Sequence, residues 1–551
     1  MEKTGLLVLT NPARITQLLP IIKKHVSETL YIQYLPCKNI FSEILHIDYT
    51  WGINRFAQAI SNIYIYTSSI SDQLDIRVLL TSIKERHIRL HTKKHVEIVI
   101  FDQNCSKSQA DKFIERYLFS SFITCVIPTD DLELEKTKKY PLHFHGLFFD
   151  VNEKKNDKND VNEKKNDKND VNEKKNDKKT YKNVVLGGTF DRIHNGHKIF
   201  LSEALLRCTE KLTIGVTDQS MLSGKLLWEL IEPCSLRMFN LEEFLKDIDS
   251  TIKYEIVAIN DLYGPTKYDS TFEMIVVSEE TKNGADKINE LRVKKNLNKL
   301  DIHVIKIITD EHHKEHEENK ISSSNQRIRL LGTKLYAPRI ENKPLKPYII
   351  GLTGGIASGK SSVAEKLKKL GAALVNCDKI AHDLYLPGNK CFDEIVNNFD
   401  STILKSDGFI DRKILGHIVF NDKNQLNKLN EILWPMILEE AKKQINDFNT
   451  KGFDIIVMEA AVLIQAKWQH ECHEIWTCII PQKEAIQRIM ERNTLTETDA
   501  KLRVQAQLNN KDQVDEANVV ICTLWSHEIT EGQVQKAWNE TMAFLNNQQK
   551  N

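Results

Sequence analysis

Short apolar runs alternate along the chain with longer stretches whose apolar positions recur every three or four residues. In the first 150 residues GLLVLT (5–10), TLYIQYL (29–35), DIRVLLTSI (75–83) and VEIVIFD (96–102) read as strands. ARITQLLPIIKKHV and RFAQAISNIYIY lie between them with helical spacing. This alternation predicts an α/β domain. The pattern restarts at 181 with strand NVVLGGTF, a helix from about 195, strand KLTIGVTD, and a helix through LWELIEPCSLRMFNLEEFLKDI. Strands KYEIVAI, EMIVVS and DIHVIKII follow, and helix SSSNQRIRLLGTKL closes the segment. Strands separated by helices predict a doubly wound parallel sheet. Strand YIIGLT at 348–353 then opens a third α/β unit.

Two stretches break the periodicity. VNEKKNDKND occurs at 151–160 and 161–170, and VNEKKNDKKT follows at 171–180; the block holds 10 Lys, 8 acidic residues and no apolar type except Val. Such a segment buries too little surface to offset its ordering entropy, so it is expected to be a disordered linker. APRIENKPLKP (337–347) is short and proline-rich, a second linker. The expected organisation is therefore multidomain: an N-terminal α/β domain over 1–150, the repeat linker 151–180, an α/β domain over 181–336, the linker 337–347, and a third domain over 348–551.

Composition narrows the function classes. The 76 basic and 76 acidic residues give a net charge of zero. That argues against a dedicated nucleic-acid surface. The ten cysteines are scattered without a C-x-x-C pair, which fits a reducing, cytoplasmic compartment. No apolar run is long enough for a transmembrane span; association with mitochondria, or peripherally with a membrane, stays open. Oligomeric state is not readable.

The first candidate chemistry is GGTFDRIHNGH at 187–197. A strand ends at Gly187 and Gly188, where backbone can approach a phosphate, and Thr189 adds a hydroxyl. His194 and His197 are three apart at a helix start, so both can face one pocket. Helix amides favour an anion there. Ser322, Ser323 and Ser324 precede Arg327 at a later helix start, a second anion-binding arrangement. Lys225 and Arg237 are further anion-binding candidates in a helical, charge-mixed setting, where a solvated face is the alternative.

The second is a phosphate loop. Gly354, Gly355, Ile356, Ala357, Ser358, Gly359, Lys360, Ser361 and Ser362 lie between strand YIIGLT and a helical pattern, the context such a loop requires. Its amides would cradle phosphates, Lys360 would reach the β/γ oxygens, and Ser361 would coordinate Mg²⁺. Strand AALVNCD brings Asp378 to the same edge as a proton acceptor. Glu459 ends the apolar run GFDIIVMEAAVLI, as a metal-side or helix-start acid. Arg488 and Arg492 lie four apart, before a polar segment that reads as a lid, and could neutralise a transferring group.

Together these residues carry a resemblance. H-x-G-H after GGTFD, with ISSSNQR at 321–327, resembles the T/H-x-G-H nucleotidylyltransferases and, within them, phosphopantetheine adenylyltransferase. GLTGGIASGKSSVA, Asp378, Trp434-Pro435 and R-x-x-x-R resemble dephospho-coenzyme A kinase. The order of the two resembles the animal bifunctional coenzyme A synthases. Ser324 stands where that family's signature has Thr, and Glu459 where the animal proteins usually have Asp. The resemblance implies a Rossmann-like nucleotidylyltransferase domain followed by a P-loop kinase domain. It implies ATP as substrate at both, Mg²⁺, and the acceptors 4′-phosphopantetheine and dephospho-coenzyme A. It implies that His194 and His197 hold ATP phosphates in the first transition state. Two other readings stay open: a nucleotide-binding scaffold without activity, and a fusion of two transferases with other acceptors.

Overall fold

The computed structural model describes residues 1–37, 40–41, 52–71, 73–84, 90–118, 124–126 and 179–548. Most of the charged repeat, 151–178, lies outside the described residues, and the linker expectation with it.

Three parallel five-stranded sheets organise the described residues. The first holds β1 (Glu2–Leu9), β2 (Val26–Tyr34), β3 (Asp75–Val78), β4 (Ile98–Phe101) and β5 (Thr124–Val126), in the order β3-β2-β1-β4-β5. The second holds β6 (Tyr181–Gly188), β7 (Cys208–Thr217), β8 (Lys253–Ile259), β9 (Met274–Ser278) and β10 (Asp301–Ile305), in the order β10-β9-β6-β7-β8. Numbered from its own first strand, each runs 3-2-1-4-5. The third holds β11 (Tyr348–Gly354), β12 (Ala373–Asn376), β13 (Ile455–Glu459), β14 (Glu474–Ile479) and β15 (Val519–Cys522), in the order β12-β13-β11-β14-β15. Its order is 2-3-1-4-5. Central strands of parallel sheets are covered on both faces and read as continuous apolar runs. Leu6–Leu9 of β1 and Ile456–Met458 of β13 are accordingly buried without alternation.

The chain divides into two compact units. In the first, the first two sheets share one apolar core, and each also packs a smaller apolar cluster of its own. Helix Ile53–Tyr66 turns Phe56, Ile60 and Ile63 inward, and helix Asn195–Arg207 contributes Leu201 and Leu205 to the same cluster. In the second unit Ile350, Leu352, Val363 and Trp476 pack around β11. The long helix Lys423–Thr450, with Trp434-Pro435 inside it, lays Leu433, Ile437 and Ala441 on the other face. No helix among the described residues is long and apolar enough to cross a membrane.

Several elements differ from the sequence expectation. The run 75–83 is strand only to Val78, because the Leu80 N–H is taken by Ile248 O and the chain leaves the sheet for a helical turn at Thr81–Lys84. The helix expected from Leu227 begins at Cys234, after Pro233, since the residue before a proline is held out of the helical region. β12 stops at Asn376, so Asp378 sits in the first turn of helix Cys377–Leu384.

Candidate active sites

In the first unit β6 ends at Gly188, and the loop 189–193 carries the chain to helix Asn195–Arg207. Phe190 and Arg192 take left-handed φ values of 50° and 48° in this tight loop. Asp191, fully buried, holds the loop by accepting from the Glu232 N–H at 3.0 Å and from Arg192. His194 caps the helix, its Nδ1 accepting from the His197 N–H at 3.4 Å. The two imidazoles stack with centroids 3.9 Å apart. A Cβ on Gly196 would lie 3.1 Å from the His194 ring, so a glycine there lets the ring fold over the helix start. Ser323 Oγ donates to Asp191 O at 2.9 Å and lies 3.4 Å from His194 Nε2. Ser322 precedes it. The Thr189 hydroxyl accepts from Thr217 Oγ1 at 3.2 Å. Stacked imidazoles, hydroxyls and a helix N-terminus together suit an anion whose charge grows.

Of the setting expected for Lys225 and Arg237, the helix holds only for Arg237 and the solvated position only for Lys225. Lys225 is exposed in a turn rather than a helix. Arg237 is helical but 1% exposed. It donates to the carbonyls of Glu232, Thr189 and Thr217 at 2.8, 2.6 and 2.9 Å. A guanidinium so engaged fastens the phosphate-side loop from behind; it is not a solvated face. Arg327, on helix Ser323–Leu330, is also buried, donating to Leu226 O at 3.0 Å and to Ser324 Oγ at 3.4 Å.

In the second unit β11 runs into the loop 354–359 and helix Lys360–Lys369. Gly359 has φ +79°, and a Cβ there would approach Thr523 to 2.9 Å. The loop borders an open cavity of about 790 Å³, lined also by Lys360, Ser361, Ser362, Asp378, Arg488 and Arg492. Asp378 Oδ2 is 3.8 Å from Lys360 Nζ, and its side chain is 56% exposed. Glu459 is 1% exposed. Its Oε1 accepts from Ser361 Oγ and its Oε2 from Asn376 Nδ2, both at 2.9 Å. Hard cations such as Mg²⁺ take oxygen ligands and commonly use one or two carboxylates plus phosphate oxygens. Ser361 and Glu459 are a fitting donor pair. Bound there, the ion would neutralise charge on the β and γ phosphates.

The two arginines part company. Arg488 donates to Glu484 at 2.8 Å, to Thr523 O at 2.8 Å and to Thr523 Oγ1 at 3.1 Å. Thr523 Oγ1 in turn donates to Ser358 O at 2.9 Å. Arg488 thus braces the loop. Arg492, near the helix end, donates to Asn493 at 3.0 Å and borders the cavity. Two loop partners escaped the sequence reading. Thr523 follows β15 as an ordinary polar residue. Gln507 lies in a polar run without periodicity, yet its Oε1 accepts from the Ile356 N–H at 2.6 Å.

Fold and sites define a transferase with two phosphate-handling centres, one of nucleotidyltransferase type and one of P-loop kinase type. Residues 348–524 match the dephospho-CoA kinase family model, and residues 185–329 match the cytidylyltransferase-like one. A dephospho-CoA kinase of Carboxydothermus hydrogenoformans is 40% identical over 186 residues, 34% of this chain and 90% of the relative. One from Shouchella clausii is 37% identical over 192 residues, 35% of this chain and 98% of the relative. A solved dephospho-CoA kinase from Campylobacter jejuni aligns at 26% identity over 35% of this chain and 96% of its own, with TM-score 0.28. The chain belongs to the dephospho-CoA kinase family, with a cytidylyltransferase-like domain placed before the kinase domain.

Proposed function

We propose that the chain is a bifunctional coenzyme A synthase. The nucleotidyltransferase domain joins 4′-phosphopantetheine to ATP: the acceptor phosphate attacks the α-phosphorus and pyrophosphate leaves, giving dephospho-coenzyme A. The kinase domain then moves the γ-phosphoryl group of a second ATP to the ribose 3′-hydroxyl, giving coenzyme A and ADP. The observation that carries this reading is the order of the two matched regions, which is the order of the two reactions.

Placement supports the following roles. His194 and His197, with the Thr189 hydroxyl, are the donors for the α-phosphate in attack, and Ser323 lies beside the His194 ring. Lys360 and the loop amides hold the triphosphate of the second ATP, and Ser361 with Glu459 holds Mg²⁺. Asp378 takes the hydroxyl proton. It is an exposed carboxylate 3.8 Å from Lys360, whereas both Glu459 oxygens already accept hydrogen bonds and Glu491, also at the cavity, accepts from Gln487. Arg492 neutralises the transferring group.

Purified protein incubated with ATP, Mg²⁺ and 4′-phosphopantetheine should release pyrophosphate and yield, by mass, dephospho-coenzyme A followed by coenzyme A. Phosphorylation of added dephospho-coenzyme A with no use of 4′-phosphopantetheine would overturn the adenylyl-transfer half and leave a kinase with a different neighbour.

A further inference from the structure

Residues 1–126 have no assigned role, although their sheet repeats the strand order of the nucleotidyltransferase sheet. Doubly wound sheets bind ligands outside the strand ends at the point where the order reverses. In the first sheet that point lies between β1 and β4. It already holds an anion: Asp102 Oδ2 accepts the Thr10 N–H at 2.7 Å, the Thr10 hydroxyl at 2.8 Å and the Asn11 N–H at 3.2 Å. Asp102 is 6% exposed. The amides that would meet a phosphate are satisfied by the chain's own carboxylate, so this domain does not act through a nucleotide site of its own there.

What it does hold is the histidine helix. Three polar side chains of helix Asn195–Arg207 end on the N-terminal domain. Asn195 Nδ2 donates to Tyr64 O at 2.8 Å. Lys198 Nζ donates to Asp75 Oδ1 at 2.7 Å and to Ile76 O at 2.8 Å. Arg207 donates to Asn54 Oδ1 at 2.8 Å. All three are nearly inaccessible to solvent. Lys198 follows His197 directly, so its ammonium fixes the first turn, where both imidazoles stack. Asp75 is held from its other side by Arg77 Nε at 2.7 Å, and Arg77 reaches Asp247 at 2.5 Å. Asp247 also accepts from the Tyr31 hydroxyl at 2.6 Å, which ties the chain of charges into β2. A lysine is almost never fully buried unless paired, and this pairing spans 123 residues of sequence.

We infer that the N-terminal domain is a positioning domain for the nucleotidyl-transfer site, and that the Lys198–Asp75 pair, buried on its lysine side, is the contact through which it sets the His194–His197 turn. The inference rests on the adenylyl-transfer reading above. The pair touches no substrate. It acts by keeping the imidazoles where the transition state needs them, and misplacements near 1 Å reduce rates by up to ~10²-fold.

The test uses the full chain with Asp75→Asn and, separately, Lys198→Met, which removes the buried charge with a similar volume. Adenylyl transfer from ATP to 4′-phosphopantetheine is measured for kcat and KM, with phosphorylation of dephospho-coenzyme A in the same preparation as internal reference. The expected result is a fall in transfer kcat of ~10-fold or more, KM for ATP within about twofold, an unchanged kinase rate, and partial recovery in Asp75→Glu. An unchanged transfer kcat in both variants overturns the inference. So does a loss in both activities that tracks the folded fraction, and so does failure of both variants to fold, since each makes the pair a folding element. Wild-type protein that makes no dephospho-coenzyme A overturns the adenylyl-transfer reading and the inference with it; an active wild type with unaffected variants overturns the inference alone.

Discussion

Asp378→Asn separates rate from stability at the kinase centre. The substitution keeps the shape of the side chain and removes the proton acceptor. Its ion pair with Lys360 spans 3.8 Å, and Asp378 is 56% exposed. At a water-like dielectric a 3.8 Å pair is worth about 1 kcal/mol, and exposed pairs usually fall between about 0 and 1 kcal/mol. For a unit of this size 1 kcal/mol moves Tm by only about 2–4 °C. Loss of a general base lowers a rate by roughly 10²–10⁴-fold, which is about 2.7–5.4 kcal/mol of barrier. The rate effect therefore exceeds the stability effect several-fold. ATP affinity should change little, because the loop amides and Lys360 remain. The assay is ADP release with dephospho-coenzyme A and saturating ATP, paired with a melting curve. Given 4′-phosphopantetheine and ATP, the variant should accumulate dephospho-coenzyme A. A normal rate of conversion to coenzyme A would refute the reasoning. Two other carboxylates could then be asked to take the proton: Glu491, which also lines the cavity and accepts from Gln487, and Glu459, which would first have to release Ser361 or Asn376.

His197→Ala should lower adenylyl transfer by at least ~10²-fold, as loss of an oxyanion-type donor does, and leave the kinase rate intact; equal loss in both assays would contradict this. Glu459→Gln removes the charge behind Ser361, so the Mg²⁺ concentration for half-maximal kinase activity should rise by ~10-fold, the range seen for lost metal-supporting partners; an unchanged Mg²⁺ profile would count against Glu459 as a metal-side acid. His473 is buried and neutral, accepting from the Ile349 N–H at 2.9 Å and lying 3.0 Å from Pro344 O. Burial holds its pKa below the ordinary 6.5. A depressed folded pKa means stability that is full above 6.5 and lost as pH falls through the folded value. The melting temperature of the kinase unit should therefore drop between about pH 7 and 5. His473→Gln should flatten that slope, and an identical slope in the variant would refute the assignment.

Both phosphate-side loops were legible in the sequence because backbone geometry restricts residue choice there. Only small residues fit where Gly359 approaches Thr523 and where the His194 ring crosses Gly196. Apolar runs likewise announced the strands, since a strand covered on both faces admits little else. Polar contacts across sequence distance left no such trace. Lys198 reads as a solvated helix residue, yet Asn195, Lys198 and Arg207 are buried and each reaches a partner more than 120 residues upstream. Arg237 misled in the same way. Its partners are backbone carbonyls, which every sequence supplies, so nothing in its neighbours marks it as buried. The strand end before Asp378 failed for a local reason. Asn376 accepts the Lys379 N–H with its side chain and starts a helix two residues before the acid.

The two sheets with order 3-2-1-4-5 show why a shared topology does not settle function. Each ends its first strand at the reversal point, and each follows it with a turn toward a helix. In one the neighbouring strand β4 is followed by Asp102, whose carboxylate accepts the amides of Thr10 and Asn11. In the other the neighbouring strand β9 ends in Ser278, which bonds back to Thr281 and puts no charge on the β6 loop. A phosphate approaching Thr10 meets a fixed anion and no free amide on that cradle. One approaching Thr189 meets stacked imidazoles and a helix start. Burial pushes the Asp102 carboxyl up from its usual range, against the hydrogen bonds that hold it down. Filling the cradle this way therefore works against the carboxylate's own desolvation. That opposition is tolerable where the domain's task is to present a rigid face to the histidine helix, because a cradle already occupied does not loosen when nucleotide leaves.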